Sequence, residues 1–244
     1  MAKIPQRNFC TDINWQGRAD CQHCNIRHLM MFSGLPEPAF EQVLSPIDNF
    51  RYPGATVLFE QGKRDKGIFS IRSGIIKLLS LTTDGTQRIV RLLGRGGAIG
   101  LELMEADECY RHTAIALTPV DVCQIPLPTM LQLDTRYPQL CQQVRSRLQA
   151  DLDRADQWIV TLGSGPARRR IANLLLVMVE YCNDPHHAIE LLGREDMAAI
   201  IGTSVETASR IIAEFKRSGI LRKTGIHRHW CDVAALEAIA RESS

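Results

Sequence analysis

The spacing of apolar positions along the chain changes three times. Residues 1–34 are mostly polar and carry no period. Between 35 and 126 short apolar runs (VLFE, GIFSI, IIKLLSL, RIVRLL, TAIAL, DVCQI) are punctuated by Gly54, Gly62, Gly74, Gly85, Gly94, Gly96, Gly97 and Gly100. Short β-leaning runs at roughly 8–12-residue spacing predict an all-β roll or barrel. Thr83-Asp84-Gly85-Thr86 predicts a hairpin turn, since glycine supplies the positive φ such turns need. From 127 to 165 the period becomes helical. Val144, Leu148, Leu152, Ala155, Ile159 and Leu162 recur three or four apart, with Asp151, Asp153, Arg154, Asp156 and Gln157 on the other faces. Pro138 suits the first turn of this helix. So narrow an apolar stripe with polar flanks reads as a seam between two subunits; the alternative is a helix packed on its own domain. Gly163-Ser164-Gly165-Pro166 then marks a boundary, with a cap, a helix-opening proline and hinge glycines. A helix with a basic first turn follows over 166–182.

The most informative stretch is Arg194–Leu221. A first helix is predicted from about Arg194 to Ile200, a tight turn at Gly202, and a second helix from Val205 to Arg217. Ser204 is its N-cap, because a hydroxyl accepts an orphan backbone N–H, and Gly219 ends it. Two short helices across a glycine turn form a helix-turn-helix. Ala208, Ile211, Ile212 and Phe215 share the buried face. Glu206, Ser209, Arg210 and Ala213 share the opposite one, which suits a DNA major groove. Arginine can bond guanine O6 and N7 together, glutamate can accept from a cytosine amine, and Val205 can touch a thymine methyl. The candidate DNA-binding set is therefore Thr203, Ser204, Val205, Glu206, Ser209 and Arg210. RKTGIHRHW after Leu221 reads as a β-hairpin wing with Gly225 at its tip.

Charge strengthens this reading locally and not globally. The 244-residue chain carries a formal net charge of only +2, which by itself neither proves nor excludes a nucleic-acid partner. Between Thr207 and Trp230, however, Arg210, Lys216, Arg217, Arg222, Lys223 and Arg228 face Glu214 alone, with His227 and His229 in addition. Such a cluster is the footprint of phosphate contact. No apolar run reaches the ~18–20 residues of a membrane span. The first residues have no apolar core and do not read as a signal peptide. Eight cysteines without an export signal point to the reducing cytoplasm.

With these residues in view, the chain resembles the bacterial CRP/FNR superfamily of transcription regulators over about residues 20–230. FSIRSGIIKLLSLTTDGTQRIV resembles that family's β-roll signature and VETASRIIAEFKRSGIL its recognition helix. The resemblance implies an α+β fold in four parts. These are a cysteine-containing arm (1–34), a double-stranded β-helix or jelly-roll sensor of the cyclic-nucleotide-binding type (35–126), a dimerisation helix region (127–165) and a winged helix-turn-helix (166–244). It implies a homodimer on double-stranded DNA, with RNA polymerase as a further partner. Val205, Glu206, Ser209 and Arg210 fall where the FNR branch has its base-reading Val-Glu-x-x-Ser-Arg set. This implies a palindromic, FNR-like site with TTGAT-type half-sites.

The same resemblance frames what is sensed. FNR-type sensors hold an iron–sulfur cluster that responds to oxygen, nitric oxide or redox state, with three N-terminal cysteines and one in the β-roll. Cys21-x-x-Cys24 matches the first pair and Cys123 the β-roll cysteine, but Met30 stands at the third N-terminal position. Cys10, from the other side, would complete a set of Cys10, Cys21, Cys24 and Cys123, the four thiolates a [4Fe–4S] cluster needs. Ala155 stands where the FNR pattern has an acidic seam residue, so the resemblance implies dimerisation without a cluster. The alternative is the same regulator without a cluster, answering cyclic nucleotide or haem, or controlled by abundance. CRP-type cyclic-nucleotide pockets use a Gly-Glu-Leu turn and an Arg-Ser pair. Here the matching segments read Gly100-Leu101-Glu102 and Tyr110-Arg111-His112-Thr113. His23 and His28 could offer imidazole to zinc or haem. Cys141 and Cys182 read as core, and Cys109 and Cys231 receive no role. A remote alternative is a cupin-like metalloenzyme, which needs a His-x-His pair where this β region has only His112. A third class is an adaptor whose C-terminal domain binds protein.

Overall fold

The glycine-punctuated runs form strands in the computed structural model, which describes residues 13–21, 23–24, 26–40, 46–64, 67–81, 87–105, 108–226 and 228–242. The chain divides into two compact units, 1–148 and 149–244.

In the first unit, β1 (Asn14–Arg18), β2 (Asp48–Tyr52), β9 (Val120–Ile125), β4 (Ile68–Ser73) and β7 (Ala98–Ile99) make one sheet in that order. A second contains β3 (Val57–Phe59), β8 (Thr113–Ala116), β5 (Ile76–Leu81) and β6 (Gln87–Leu93). Every pairing is antiparallel. Phe69, Ile71, Ile76, Leu78, Ala114 and Val122 bury their side chains in a common core, giving the expected jelly roll. Gly74 turns β4 into β5 at φ 84°. A Cβ there would lie 2.3 Å from the Pro119 carbonyl oxygen, so no other residue fits. The turn expected at Thr83–Thr86 lies outside the described residues. The strands flanking it do pair antiparallel, with Leu81 opposite Gln87.

The structure adds to the reading of the arm. Asn14–Arg18 is not loop but an edge strand on β2. Residues Ile26–Leu35 turn tightly and bury Ile26, Met30, Met31, Phe32 and Leu35 in a second core with Ile68, Cys123, Ile125, Met130, Leu133, Leu140 and Val144. The helical region is two helices, α1 (Leu127–Arg136) and α2 (Pro138–Gly163). Tyr137 breaks them apart at φ −126°, ψ 85°. A residue before proline is pushed out of the helical region by the proline ring.

The second unit contains the last part of α2, then α3 (Ala167–Cys182), β10 (Ala188–Glu190), α4 (Arg194–Ile201), α5 (Val205–Arg217), β11 (Leu221–Lys223), β12 (Arg228–Cys231) and α6 (Val233–Arg241). The units divide inside α2 and not at the glycine hinge, because the end of α2 is tied to α3. Asn173 Nδ2 donates to Thr161 O at 3.1 Å, and Leu162 is buried. Neither β10, which pairs with the wing strand β12, nor α6, capped by Asp232 accepting from Ala235 N at 3.0 Å, stood out in the apolar pattern. No helix among the described residues is long and apolar enough to cross a membrane.

Candidate functional site

The helix-turn-helix is built from α4 and α5. Gly202 ends α4 in a left-handed conformation at φ 66°. Ser204 caps α5 as the sequence predicts, its hydroxyl accepting from Thr207 N at 3.2 Å. Gly219, expected to end α5, lies one residue beyond the observed cap Ser218, at φ 79°. It occupies the position just past the helix, where a left-handed residue is ordinarily found. Ala208, Ile211, Ile212 and Phe215 are buried. Val205, Glu206, Arg210 and Ala213 are exposed, with Thr203 and Ser209 half-buried beside them. The amphipathic split read from the sequence thus presents one polar face outward.

Electrostatics on that face suit an anionic partner. Arg210 makes no hydrogen bond or ion pair among the described residues, so its planar fork of donors is available. The Glu206 backbone N–H, with help from the Ser204 hydroxyl, holds the Glu206 carboxyl below the usual range. It therefore stays an acceptor at neutral pH. Burial, with Arg194 and Lys223 nearby, lowers the Lys216 ammonium, so three cations crowd one corner of the unit.

Two pairings went unseen in the sequence. Arg168 Nε donates to Glu214 at 2.9 Å, and its guanidinium lies 5.5 Å from the Phe215 ring centre. Arg228 pairs with Asp184. One acid and one base of the basic cluster are therefore already answered, and the local excess rests on Arg210, Lys216, Arg217, Arg222 and Lys223. Of these, Arg222 lies over Trp230 at 5.0 Å and donates to Gly219 O at 3.2 Å, so it stiffens the wing. Arg170 donates to Ile201 O and Gly202 O. A cation on the last carbonyls of α4 satisfies orphan acceptors and opposes the negative end of the helix dipole. The basic first turn of α3 is the only sequence signal for these roles. His227 lies outside the described residues.

The seam residues separate into two groups. Leu148 (45% exposed), Leu152 (55%) and Ile159 (73%) are open, joined by Val160 (67%), which the heptad reading passed over. Ala155 is half-buried. Val144 (7%) and Leu162 (2%) are covered within the chain. Those two are corrected to core, since both ends of α2 are already packed.

The cysteine set is only partly gathered. Cys123 is buried on β9, opposite Asn49 of β2 and Ser70 of β4, and its thiol donates to Asn49 Oδ1 at 3.2 Å. Cross-strand partners share a face, so these three form a row. Burial, then the nearness of Cys123 and Cys24, pushes the Cys21 thiol up to about 12. Burial pushes Cys123 up to about 11. Met30 comes to the same row, where Ser70 Oγ donates to its sulfur at 2.9 Å. Cys10 lies outside the described residues. Among the described residues no group of three or more His, Cys, Asp or Glu side chains is arranged to hold a metal ion. Of the expected thiolates, Cys21, Cys24 and Cys123 stand near one another, and Met30, at the third N-terminal position, offers a core thioether where a cubane cluster takes thiolates. His23 is exposed and bonded to Asp20 at 2.9 Å. Cys231, which received no role, is buried on β12.

The region matching a cyclic-nucleotide turn is occupied by its own side chains. Glu102 Oε1 accepts from Arg111 N at 3.1 Å, and the Arg111 guanidinium pairs with Glu108 at 3.2 Å. Tyr110 fills the interior, stacked on Phe59 at 3.7 Å, with its hydroxyl donating to Gly67 O at 2.6 Å. Burial and the nearby Arg91 hold His112 below the usual imidazole range.

A β-roll followed by helices and a winged helix-turn-helix defines a class of bacterial regulators. Residues 49–137 match the cyclic nucleotide-binding domain family, and residues 169–239 the Crp-like helix-turn-helix domain family. The chain belongs to the CRP/FNR family of transcription regulators. It is 28% identical to the fumarate and nitrate reduction regulatory protein of Salmonella typhimurium, over 97% of each chain. It is 27% identical to the transcriptional activator protein FnrA of Stutzerimonas stutzeri, over 92% of this chain and 94% of that protein. FixK2 of Bradyrhizobium japonicum has a similar fold: TM-score 0.68 at 20% identity, covering 81% of this chain and 99% of FixK2.

Proposed function

We propose that this regulator acts as a homodimer on a palindromic, FNR-like DNA site. Two copies join along the open stripe of α2 formed by Leu148, Leu152, Ala155, Ile159 and Val160. Each sets an α5 helix into the major groove, and the two half-sites lie one turn of DNA apart, about 34–36 Å. Arg210 reads a guanine, Glu206 a cytosine amine and Val205 a thymine methyl, with Ser209 beside them. Thr203 and Ser204, at the helix entry, bond phosphate with the N-terminal dipole of α5 behind them. Lys216, Arg217 and Lys223 add sequence-independent affinity. The dimer works in the cytoplasm and recruits RNA polymerase.

One observation carries this reading: a free arginine and a carboxylate held ionised stand exposed on the face of α5 opposite its buried stripe. The test is duplex binding across a salt series. Affinity for the palindrome should fall steeply with salt and exceed that for scrambled duplex. Equal affinity for the two would end the reading.

Of the two forms of the sensory reading, we favour the one without a cluster, in which another ligand or the protein's abundance sets its activity, because Met30 stands at the third N-terminal ligand position as a buried thioether already met by Ser70. Anaerobic purification with an iron and sulfide assay tests this. Iron-free protein from anoxic cells is expected, and stoichiometric iron and sulfide would overturn it.

A further inference from the structure

The segment that carries the Cys-x-x-Cys pair is seated by contacts that need no metal. Ile26, Met30, Met31, Phe32 and Leu35 are buried against the strands and against Leu133, Leu140 and Val144 of α1 and α2. The Met30 sulfur accepts from Ser70 Oγ at 2.9 Å. Two side chains of α2 reach back to the segment. Arg147 donates to Leu29 O. Gln143, with its amide nitrogen toward the segment, donates to Met31 O at 2.8 Å while its oxygen accepts from Gly34 N at 2.9 Å. The approach is close enough that a Cβ on Gly34 would meet the end of that amide at 1.9 Å. Arg27 closes the loop on itself through Leu35 O.

We propose that Met30 is a metal-free latch: its buried thioether, met by Ser70, holds Ile26–Leu35 on the sheet and on the base of α2, at the position where the family resemblance expects a thiolate ligand to iron. Neither iron nor oxygen then decides whether the segment is seated. The physical reason is that burying a methionine side chain is favourable with no metal present. Thioether sulfur is only a weak hydrogen-bond acceptor, so packing dominates and Ser70 orients. The segment leans on the helix that carries the open stripe. If the dimer reading above holds, dimerisation is therefore independent of iron as well.

Hydrogen exchange on the full chain tests the latch directly. The amides of Leu29, Met30, Ser33 and Leu35 bond to Ile26 O, Arg27 O, Met30 O and Phe32 O at 2.9–3.1 Å, so their protection reports seating. Chelator-treated protein and protein loaded anaerobically with ferrous iron and sulfide should protect them equally. Rapid exchange in the chelated protein that slows on loading would overturn the latch. Met30→Ala should reduce protection about a hundredfold, in the range of a core Met→Ala cavity, while Met30→Leu retains it. Ile71 and Val122, in β4 and β9, should stay protected in both variants, which separates unlatching from failure to fold. Unchanged protection in Met30→Ala would also overturn the proposal. Ultracentrifugation of the same samples keeps the two readings apart. A chelated dimer agrees with both, whereas a chelated monomer with protected segment amides supports the latch and overturns the dimer reading.

Discussion

The outer face of α5 and the sulfur row under the N-terminal segment are both clusters of chemically able side chains, and they differ in what those side chains are left to do. On α5, the Arg210 side chain has no partner among the described residues and Glu206 is held ionised by its own helix start. Around Cys123, that thiol is buried, Cys21 and Cys24 are half-buried, and Met30 already has Ser70. Exposed, unanswered polar groups remain free for a partner. Buried, answered ones hold the fold. The family resemblance singles out both clusters, and the difference in burial separates the one that recognises from the one that fastens.

The comparison breaks most visibly if the support behind the recognition face is removed. Phe215→Ala leaves a cavity beneath α5 and should cost about 3–5 kcal/mol, read by chemical denaturation of the second unit. Next is the open stripe. Leu152→Lys should weaken the dimer by about 2 kcal/mol or more, the scale of an interface hot spot, seen as monomer in ultracentrifugation with the helical signal intact. Arg210→Ala should then remove about 1–3 kcal/mol of discrimination at one base pair, measured by competition between operator variants. Unchanged preference would move the reading register off Arg210. Ser204→Ala should cost about 1 kcal/mol of stability through the lost cap, a shift visible by thermal melting.

The smallest effect is a pH dependence. Backbone N–H groups of His186 and then Ala188, together with the Arg228 side chain, hold the Asp184 carboxyl below its ordinary value. A depressed folded-state value contributes stability that is complete above the unfolded value, about 3.9. It is lost as pH falls through the folded one. The Asp184 contribution to the stability of the second unit should therefore be constant with pH near neutrality and shrink only in acid. Asp184→Asn, followed by denaturation at pH 7 and pH 3, should show a larger penalty at pH 7 than at pH 3.

Much of the reading interface was legible in order along the chain. Val205–Arg217 is the predicted second helix with its boundaries unchanged, because cap, period and stop all lie within a few residues of the helix they define. The first helix ran one residue past its predicted end. Roles set by distant partners were not legible. Arg168 and Arg170 looked like a basic first turn, yet one braces Glu214 and Phe215 and the other caps α4. The stripe on α2 was legible as a period, but Val144 and Leu162 share its spacing and differ from Leu152 only in what lies against them.

The sequence by itself determined the two kinds of element, the turn chemistry of the helix-turn-helix and which side of α5 is polar, because each depends on residues within about two turns of one another. Only the tertiary structure decided which cysteines gather, that Met30 is core at a ligand position, and which arginines are left free. Those outcomes depend on burial and on partners far apart in the chain, and no local spacing records either.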